Sequence, residues 1–422
     1  MSVKPKTTAK QGSDFMPELT EFKGDDLANF DGAIDAFQPN KDQTAAIASI
    51  DAWLTDGSKQ TFALSGLAGT GKSSIIPTII RLARSKGYRP KIACPTGIAS
   101  VVVNEKMRAA GLGGSLADTV HSLAYRPVGS KVVEDRKDHL GRDIRNPLFE
   151  RSEFDASIVL VDEASMISER VEQRLTDNPT KYIWVGDHGQ LPPVGDKAIS
   201  PTLANPDYVL TEIVRQAVDS PIRKLAYDVR KGLPLSTPVP GINYVKVGDA
   251  ASVARGAFAG RADVVVAATN KVRRAINQNL RTLRGFGGKP HFSPGEKVII
   301  TATNRAYNVF NGETYYVERV YTRTDRHEEG ELIKCDLIDR VNNRMVRGID
   351  LGYQWRSDES YALGITAADY GDCLTCHKAQ GSQYKRVIVV DEYIGWMGDM
   401  APMWNYTACT RASEMLAVMK IS

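Results

Sequence analysis

The segment Gly66-Leu67-Ala68-Gly69-Thr70-Gly71-Lys72-Ser73 has the spacing G-x-x-x-x-G-K-S. In such a loop the glycines let backbone N–H groups close around phosphate oxygens, the lysine neutralises charge on the outer phosphates, and the hydroxyl ligates Mg²⁺. The run 61–65 before it reads as a strand and 74–85 behind it as a helix, so the loop stands where a helix N-terminus favours an anion. A chance glycine-rich turn would lack these flanks. Gly66, Ala68, Gly69, Thr70, Gly71, Lys72 and Ser73 are therefore the candidate nucleotide ligands, with Lys72 also catalytic and Ser73 also at the metal. The apolar run Ile158-Val159-Leu160-Val161 ends in Asp162-Glu163, where Asp162 suits Mg²⁺ and Glu163 suits the general base for an attacking water. Taken alone, two acids at a strand end are often only a solvated turn. Following a phosphate loop, these are read as its partners. In Trp184-Val185-Gly186-Asp187-His188-Gly189-Gln190-Leu191-Pro192-Pro193-Val194, Gln190 offers an amide that could sense the γ-phosphate, against the plain reading of a solvent-facing loop glutamine. The two prolines stiffen the turn.

A second chemistry is suggested by basic and hydroxyl-bearing segments. Pro95-Thr96-Gly97-Ile98-Ala99-Ser100 lies between a strand and a helix, so its hydroxyls and N–H groups could grip a backbone phosphate. Between Val264 and Gly295 no Asp or Glu occurs, while Lys271, Arg273, Arg274, Arg281, Arg284 and Lys289 do. Asn270, Arg274, Asn277, Arg281 and Arg284 recur at helical spacing opposite Val272, Ile276, Leu280 and Leu283, which predicts one packed face and one that could follow phosphates. A merely solvated helix face is the competing reading. Cys373-Leu374-Thr375-Cys376-His377 spells C-x-x-C-H, but no export signal accompanies it and no second ligand pair stands at zinc spacing, so haem and zinc are both set aside.

These segments need elements to carry them. Strands at 61–65, 91–94, 158–161 and 182–185 alternate with helical stretches, which predicts a parallel sheet with crossover helices. The same grammar returns at 263–267, 386–391 and 415–421. Between these, 297–301, 314–321 and 332–338 read as strands of a small inserted β-barrel, with Asn311-Gly312 as a hairpin signal. The fold class is thus α/β. Its expected parts are a flexible tail (1–36), a first unit (37–215) with a projecting, charged insertion (126–151), and a second unit (216–422) holding the barrel (290–364). A length of 422 residues suits several cores, since one core rarely exceeds roughly 250 to 300 residues. The 42% hydrophobic and 25% charged fractions are those of a soluble protein, with no apolar run that would span a bilayer. Five scattered cysteines make no disulfide framework and fit a reducing cytoplasm. The net charge of +4 excludes little.

With Leu374-Thr375-Cys376-His377-Lys378-Ala379-Gln380-Gly381-Ser382 and Tyr406-Thr407-Ala408-Cys409-Thr410-Arg411-Ala412 added, the ordered motifs GxAGTGKS, DEAS, GDxxQLPPV, TxHKxQG and YxAxTRA resemble those of superfamily 1 helicases, nearest to the RecD and phage Dda group. The resemblance covers nearly everything after Phe37. It implies two RecA-like domains with ATP and Mg²⁺ in the cleft between them and arginine fingers at Arg215 and Arg411. It further implies adenine reading by Gln43, a nucleotide contact at Gly381, and strand contacts at Pro95, Thr96, Thr119, His121, Thr375, His377 and Lys378. Asn270, Arg274 and Arg281 would extend that track. The implied activity is 5′ to 3′ movement on single-stranded DNA, with 126–151 as a pin that splits forked or tailed duplex. Replication or single-strand-binding proteins would be partners, no membrane would be involved, and the setting would be a bacterial or phage-infected cytoplasm. Two other readings remain open: a nucleic-acid-stimulated translocase that remodels protein–DNA complexes without unwinding, and a P-loop ATPase with no nucleic-acid role.

Overall fold

The computed structural model describes residues 38–113, 116–137, 143–151, 154–193, 201–213, 220–324, 331–353 and 364–421. The expected tail (1–36), the tip of the insertion (138–142) and Arg215 lie outside the described residues.

The first half is built on β1 (Thr61–Gly66), β2 (Pro90–Cys94) and β3 (Ala117–Thr119), then an antiparallel ribbon of β4 (Tyr125–Lys137) and β5 (Asp143–Arg151). It continues with β6 (Ile158–Val161), β7 (Lys181–Gly186) and β8 (Tyr208–Leu210). The sheet runs β3-β2-β6-β7-β1-β8 with every described pair parallel. All of Ile158–Val161 is buried, as expected of a central parallel strand covered on both faces. The helix Lys72–Ser85 lays Ile75, Ile76, Ile79, Ile80 and Ala83 on the sheet. Each buried isoleucine contributes about 1.5–3 kcal/mol, which fixes the helix start where the phosphate loop needs it.

The second half carries β9 (Asn243–Val247) and β10 (Val264–Ala267), then a closed barrel of β11 (Lys297–Ile300), β12 (Thr314–Thr324), β13 (Leu332–Asp339), β14 (Arg344–Tyr353) and β15 (Thr366–Tyr370). The chain then returns to the sheet with β16 (Cys373–Thr375), β17 (Tyr384–Asp391) and β18 (Ala412–Ile421), in the order β16-β10-β17-β18-β9. The barrel is therefore an insertion between two neighbouring parallel strands. Its core holds Phe292, Val298, Tyr315, Cys335 and Ile349.

The architecture matches the α/β expectation, though the barrel closes with β15 (Thr366–Tyr370), beyond the expected bound of 364, and two further details differ. Asn311-Gly312 does not form the tight hairpin expected of it: Gly312 has φ +95° but Asn311 is not left-handed, and both sit in a long connection from β11 to β12. In that connection the left-handed non-glycine is Asn308, at φ +54°, and between β13 and β14 it is Asn343, at φ +52°, in a turn braced by the Asp339 carboxylate, which accepts from the Val341 and Asn342 N–H groups. The larger difference concerns the basic helix, Asn270–Leu283. Asn277 and Arg281 are buried, Arg273 with them, and Leu283 is exposed.

Candidate nucleotide site and basic groove

Gly69 and Gly71 adopt φ +92° and +78°, a region that glycine enters without steric cost. A Cβ on Gly66 would stand 2.6 Å from Thr70 Oγ1, so the loop closes on itself only with glycine there. Lys72 folds back into this ring, its Nζ donating to the carbonyls of Gly66 at 2.5 Å and Leu67 at 3.1 Å, with Asp187 Oδ2 at 4.0 Å. These are bonds that a phosphate could replace.

Asp162 is buried at the end of β6, and its carboxylate accepts from the Glu163 N–H at 2.9 Å. Burial, and then the neighbouring Glu163 charge, push its pKa up to about 7. Glu163 is held in the left-handed region at φ +51°, and its Oε2 is buried with no hydrogen-bond partner. Gln190 Oε1 is in the same condition. Two crowded carboxylates and two orphaned acceptors beside a phosphate loop form a donor set that fits a hard divalent cation and a water. Ser73, on the first turn of the helix behind Lys72, completes the oxygen set suggested by sequence.

Tyr406, within the segment 406–412, ties the two halves together. Its hydroxyl donates to Asp187 Oδ2 at 2.7 Å and accepts from the Ala68 N–H at 2.6 Å. Beside it the Leu191 N–H donates to Thr407 Oγ1 at 3.0 Å, and Gln380 Nε2 donates to the Leu191 carbonyl at 3.2 Å. Asp187 is fully buried. The loop that would hold phosphate is thus hydrogen-bonded to the helix Ala401–Cys409 of the second half.

Other expected nucleotide contacts are engaged within the protein. Gln43 is buried, with its Oε1 accepting from the Asn40 N–H and its Nε2 donating to the Thr70 carbonyl, both at 3.1 Å. Asn40 Oδ1 accepts in return from the Gln43 N–H, closing a capping box at the start of the helix Lys41–Thr55. Asn-x-x-Gln ahead of a helix carries that signal in the sequence. Arg411 is buried, and it donates to the carbonyls of Thr407 and Ser382 and to Thr410 Oγ1. Gly381, at φ +74°, faces Thr96: a Cβ there would stand 3.6 Å from Thr96 Oγ1.

The residues suggested for strand contact divide into two groups. Thr96 and Thr119 are helix N-caps, accepting from Ala99 N and Ser122 N, and Pro95 precedes the first of these caps. His121 stacks on Tyr125 with ring centroids 6.2 Å apart. Against this side packs the barrel loop: Arg305 lies 3.6 Å from Asp118, and a Cβ on Gly97 would be 2.4 Å from Phe310. On the other side, Arg274 and Lys378, from segments about a hundred residues apart, line one cavity of about 690 Å³ with Gln278, Tyr353, Tyr370 and Asp369, whose Oδ2 stands 3.8 Å from Lys378 Nζ. Thr375 and His377 lie at the start of the neighbouring short helix Cys376–Ala379, where the Thr375 side chain makes no capping bond. Asn270 is exposed at the first turn of the basic helix.

Arg281 does not join them. Its Nε donates to Glu296 Oε1 at 2.5 Å and its Nη2 to the carbonyls of Lys289 and Pro290, and both side chains of the pair are buried. Arg284 pairs with Asp372 at 2.7 Å and Arg273 with Asp369 at 2.8 Å. The local stretch has no acids, but the approach to the barrel (Glu296), its last strand (Asp369) and the turn after it (Asp372) deliver them. The five cysteines are all buried thiols, and among the described residues no helix is long and apolar enough to cross a membrane.

Two parallel sheets, with a phosphate loop on the first and a helix of the second bonded to it, define a P-loop protein built of two RecA-like units. The sequence matches an AAA domain over residues 38–237 and a UvrD-like helicase C-terminal domain over residues 370–419. It is 26% identical over 375 residues to the ATP-dependent RecD2 DNA helicase of Deinococcus radiodurans, covering 83% of this chain and 46% of that protein. The chain spans less than half the length of the curated relatives it matches. Among solved structures, a complex described as two coordinating Pif1 helicases unwinding forked duplex DNA overlays with a TM-score of 0.51 at 16% identity, covering 88% of this chain and 90% of the other. A Bacteroides Pif1 helicase in complex with ADP-AlF3 and single-stranded DNA gives the same TM-score and identity, covering 90% and 92%. The sequence likeness is thus to an AAA domain, a UvrD-like helicase C-terminal domain and RecD2, and at 16% identity the likeness to the Pif1 structures is one of fold.

Proposed function

We propose that the chain is an ATP-dependent DNA helicase that moves 5′ to 3′ along single-stranded DNA and opens duplex by coupling ATP hydrolysis to closure of its two RecA-like units. The observation that carries this reading is the Tyr406 hydroxyl, which bonds both the Ala68 N–H of the phosphate loop and Asp187 from the opposite half. A change in the loop on nucleotide binding has a direct path into the unit that bears Arg274 and Lys378. The RecD2 relative, itself named an ATP-dependent DNA helicase, supports the activity.

In this reading Lys72 exchanges the Gly66 and Leu67 carbonyls for phosphate oxygens, and the orphaned Glu163 Oε2 takes the proton of the attacking water. Gln190 reads the γ-phosphate. Ser73 and Asp162 would hold Mg²⁺, whose charge neutralises the phosphates and relieves the crowding of the two carboxylates. Arg411, and Arg215 from outside the described residues, add positive charge where the transition state spreads negative charge, once Arg411 releases its bonds to Thr407 and Ser382. Gln43 reads adenine with the amide hydrogen its Thr70 bond leaves over, and Gly381 adjoins the nucleotide. The strand runs past Pro95, Thr96, Thr119 and His121 to Thr375, His377, Lys378, Asn270 and Arg274. The β4–β5 ribbon is the wedge at the fork.

The test is unwinding of duplexes with either a 5′ or a 3′ tail, made in DNA and in RNA, with ATP and Mg²⁺. Release of the 5′-tailed DNA duplex alone is expected. ATP turnover stimulated by single-stranded DNA without strand separation would replace the helicase with a translocase, and turnover indifferent to nucleic acid would remove the track altogether.

A further inference from the structure

One arginine with no assigned role lies directly on the phosphate loop. Arg223 belongs to the helix Pro221–Arg230, which buries Ile222, Leu225, Ala226 and Val229 in the core of the second half. A Cβ placed on Gly69 would stand 2.0 Å from Arg223 Nη1, 2.7 Å from Cζ and 3.3 Å from Nε. The guanidinium therefore lies against the loop, Nη1 nearest, at a residue whose φ of +92° and missing side chain permit that approach. Its Nη1 is buried and has no hydrogen-bond partner. The acid on the same helix, Asp228, is taken by Lys224 at 2.8 Å. Arg223 also lines a cavity of about 510 Å³ together with Ala68, Thr70, Leu210 and Tyr406.

A buried cationic donor left without an acceptor is costly, and the cost disappears when an anion arrives. A guanidinium suits phosphate in particular, because its parallel N–H groups can hold two oxygens at once. We propose that Arg223 is a phosphate ligand of the bound nucleotide, reaching from the second half across the cleft to the loop at Gly69. The proposal rests on the nucleotide-site reading above and adds a cleft-crossing cation to it. Its anchored helix makes the contact depend on how the two halves sit, so affinity for nucleotide and closure of the cleft are coupled through this side chain. This position differs from Arg411, each of whose three guanidinium nitrogens donates to its own segment or to Ser382.

The experiment is calorimetric titration of the full chain with ATP and with ADP, each with Mg²⁺, in the unaltered protein, Arg223→Ala and Arg223→Lys. Arg223→Ala is expected to weaken binding by about 10-fold or more, the scale of one charge-assisted hydrogen bond. Arg223→Lys should recover part of this, since a point charge remains. A loss confined to ATP would assign the contact to the γ-phosphate, and a loss on both nucleotides to the inner phosphates. Unchanged or tighter binding by a folded Arg223→Ala would overturn the proposal, the tighter case making Arg223 a plug. Should the alanine variant fail to fold, affinity of the lysine variant equal to that of the unaltered protein for both nucleotides would overturn it too. Failure of the unaltered protein to bind either nucleotide would instead refute the nucleotide-site reading beneath it.

Discussion

Two helices of the second half handle their arginines in opposite ways. On Asn270–Leu283 and its cap, Arg273, Arg281 and Arg284 each have an acid at ion-pair distance, Asp369, Glu296 and Asp372, although Arg273 Nη1 makes no hydrogen bond. On Pro221–Arg230, Arg223 Nη1 and Arg230 Nε are buried without a partner, the first against Gly69 and the second 3.2 Å from where a Cβ on Gly189 would stand. The helix richer in positive charge leaves Lys271 and Arg274 exposed for a ligand, while its other three cations serve the fold. Availability is set by whether the fold supplies an acid, and charge density along the chain does not measure that.

The comparison breaks first at Arg281. Arg281→Ala leaves Glu296 buried beside only the Ser293 N–H, and about 3–5 kcal/mol of stability should be lost, read by urea unfolding. Replacing Arg281 and Glu296 together by Met and Leu should cost far less. If Arg281→Ala kept full stability and lost DNA binding, the residue would return to the track. Next in size, Tyr406→Phe removes two hydrogen bonds between the halves, a loss of about 1–3 kcal/mol. It should appear as a fall in DNA-stimulated ATP turnover, whereas unchanged stimulation would disconnect Tyr406 from coupling. The smallest effect on stability belongs to the exposed cations. Arg274→Ala with Lys378→Ala should leave unfolding within about 0.5 kcal/mol. The same pair should flatten the slope of log affinity against log salt by roughly 1.4 for a single strand, and an unaltered slope would return this face to plain solvation.

The contrast also marks where sequence reasoning stops. The loop at 66–73, the acids at 162 and 163 and the alternation of strands were legible because each is a local pattern with a fixed period or spacing. The barrel was legible as a change of grammar between two stretches of parallel-sheet text. The three-residue strands Ala117–Thr119, Tyr208–Leu210 and Cys373–Thr375 are too short for any periodicity to register. Arg281 escapes a reading confined to 264–295 because its acid, Glu296, stands one position beyond, and the acids of Arg273 and Arg284 arrive only at 369 and 372. Arg223 gave no signal, since one arginine in an amphipathic helix is ordinary until the loop it touches is known. The Asn40–Gln43 capping box is visible in the letters, and the same Gln43 amide carries the proposed adenine contact.

Ala68 and Tyr406 are separated by 338 positions, and that distance has a consequence for how the protein comes to be made. The first sheet is complete once Leu210 has been synthesised, and its core can collapse on its own local crossovers. Its phosphate loop at that stage lacks the phenol that fixes the Ala68 N–H and the Asp187 carboxylate. Because so distant a contact forms late, the earliest motif in the chain is among the last to reach its working shape. A ribosome-bound chain halted before the helix Ala401–Cys409 would carry the loop's letters without its finished geometry, which defers ATP turnover until the second half has folded around it.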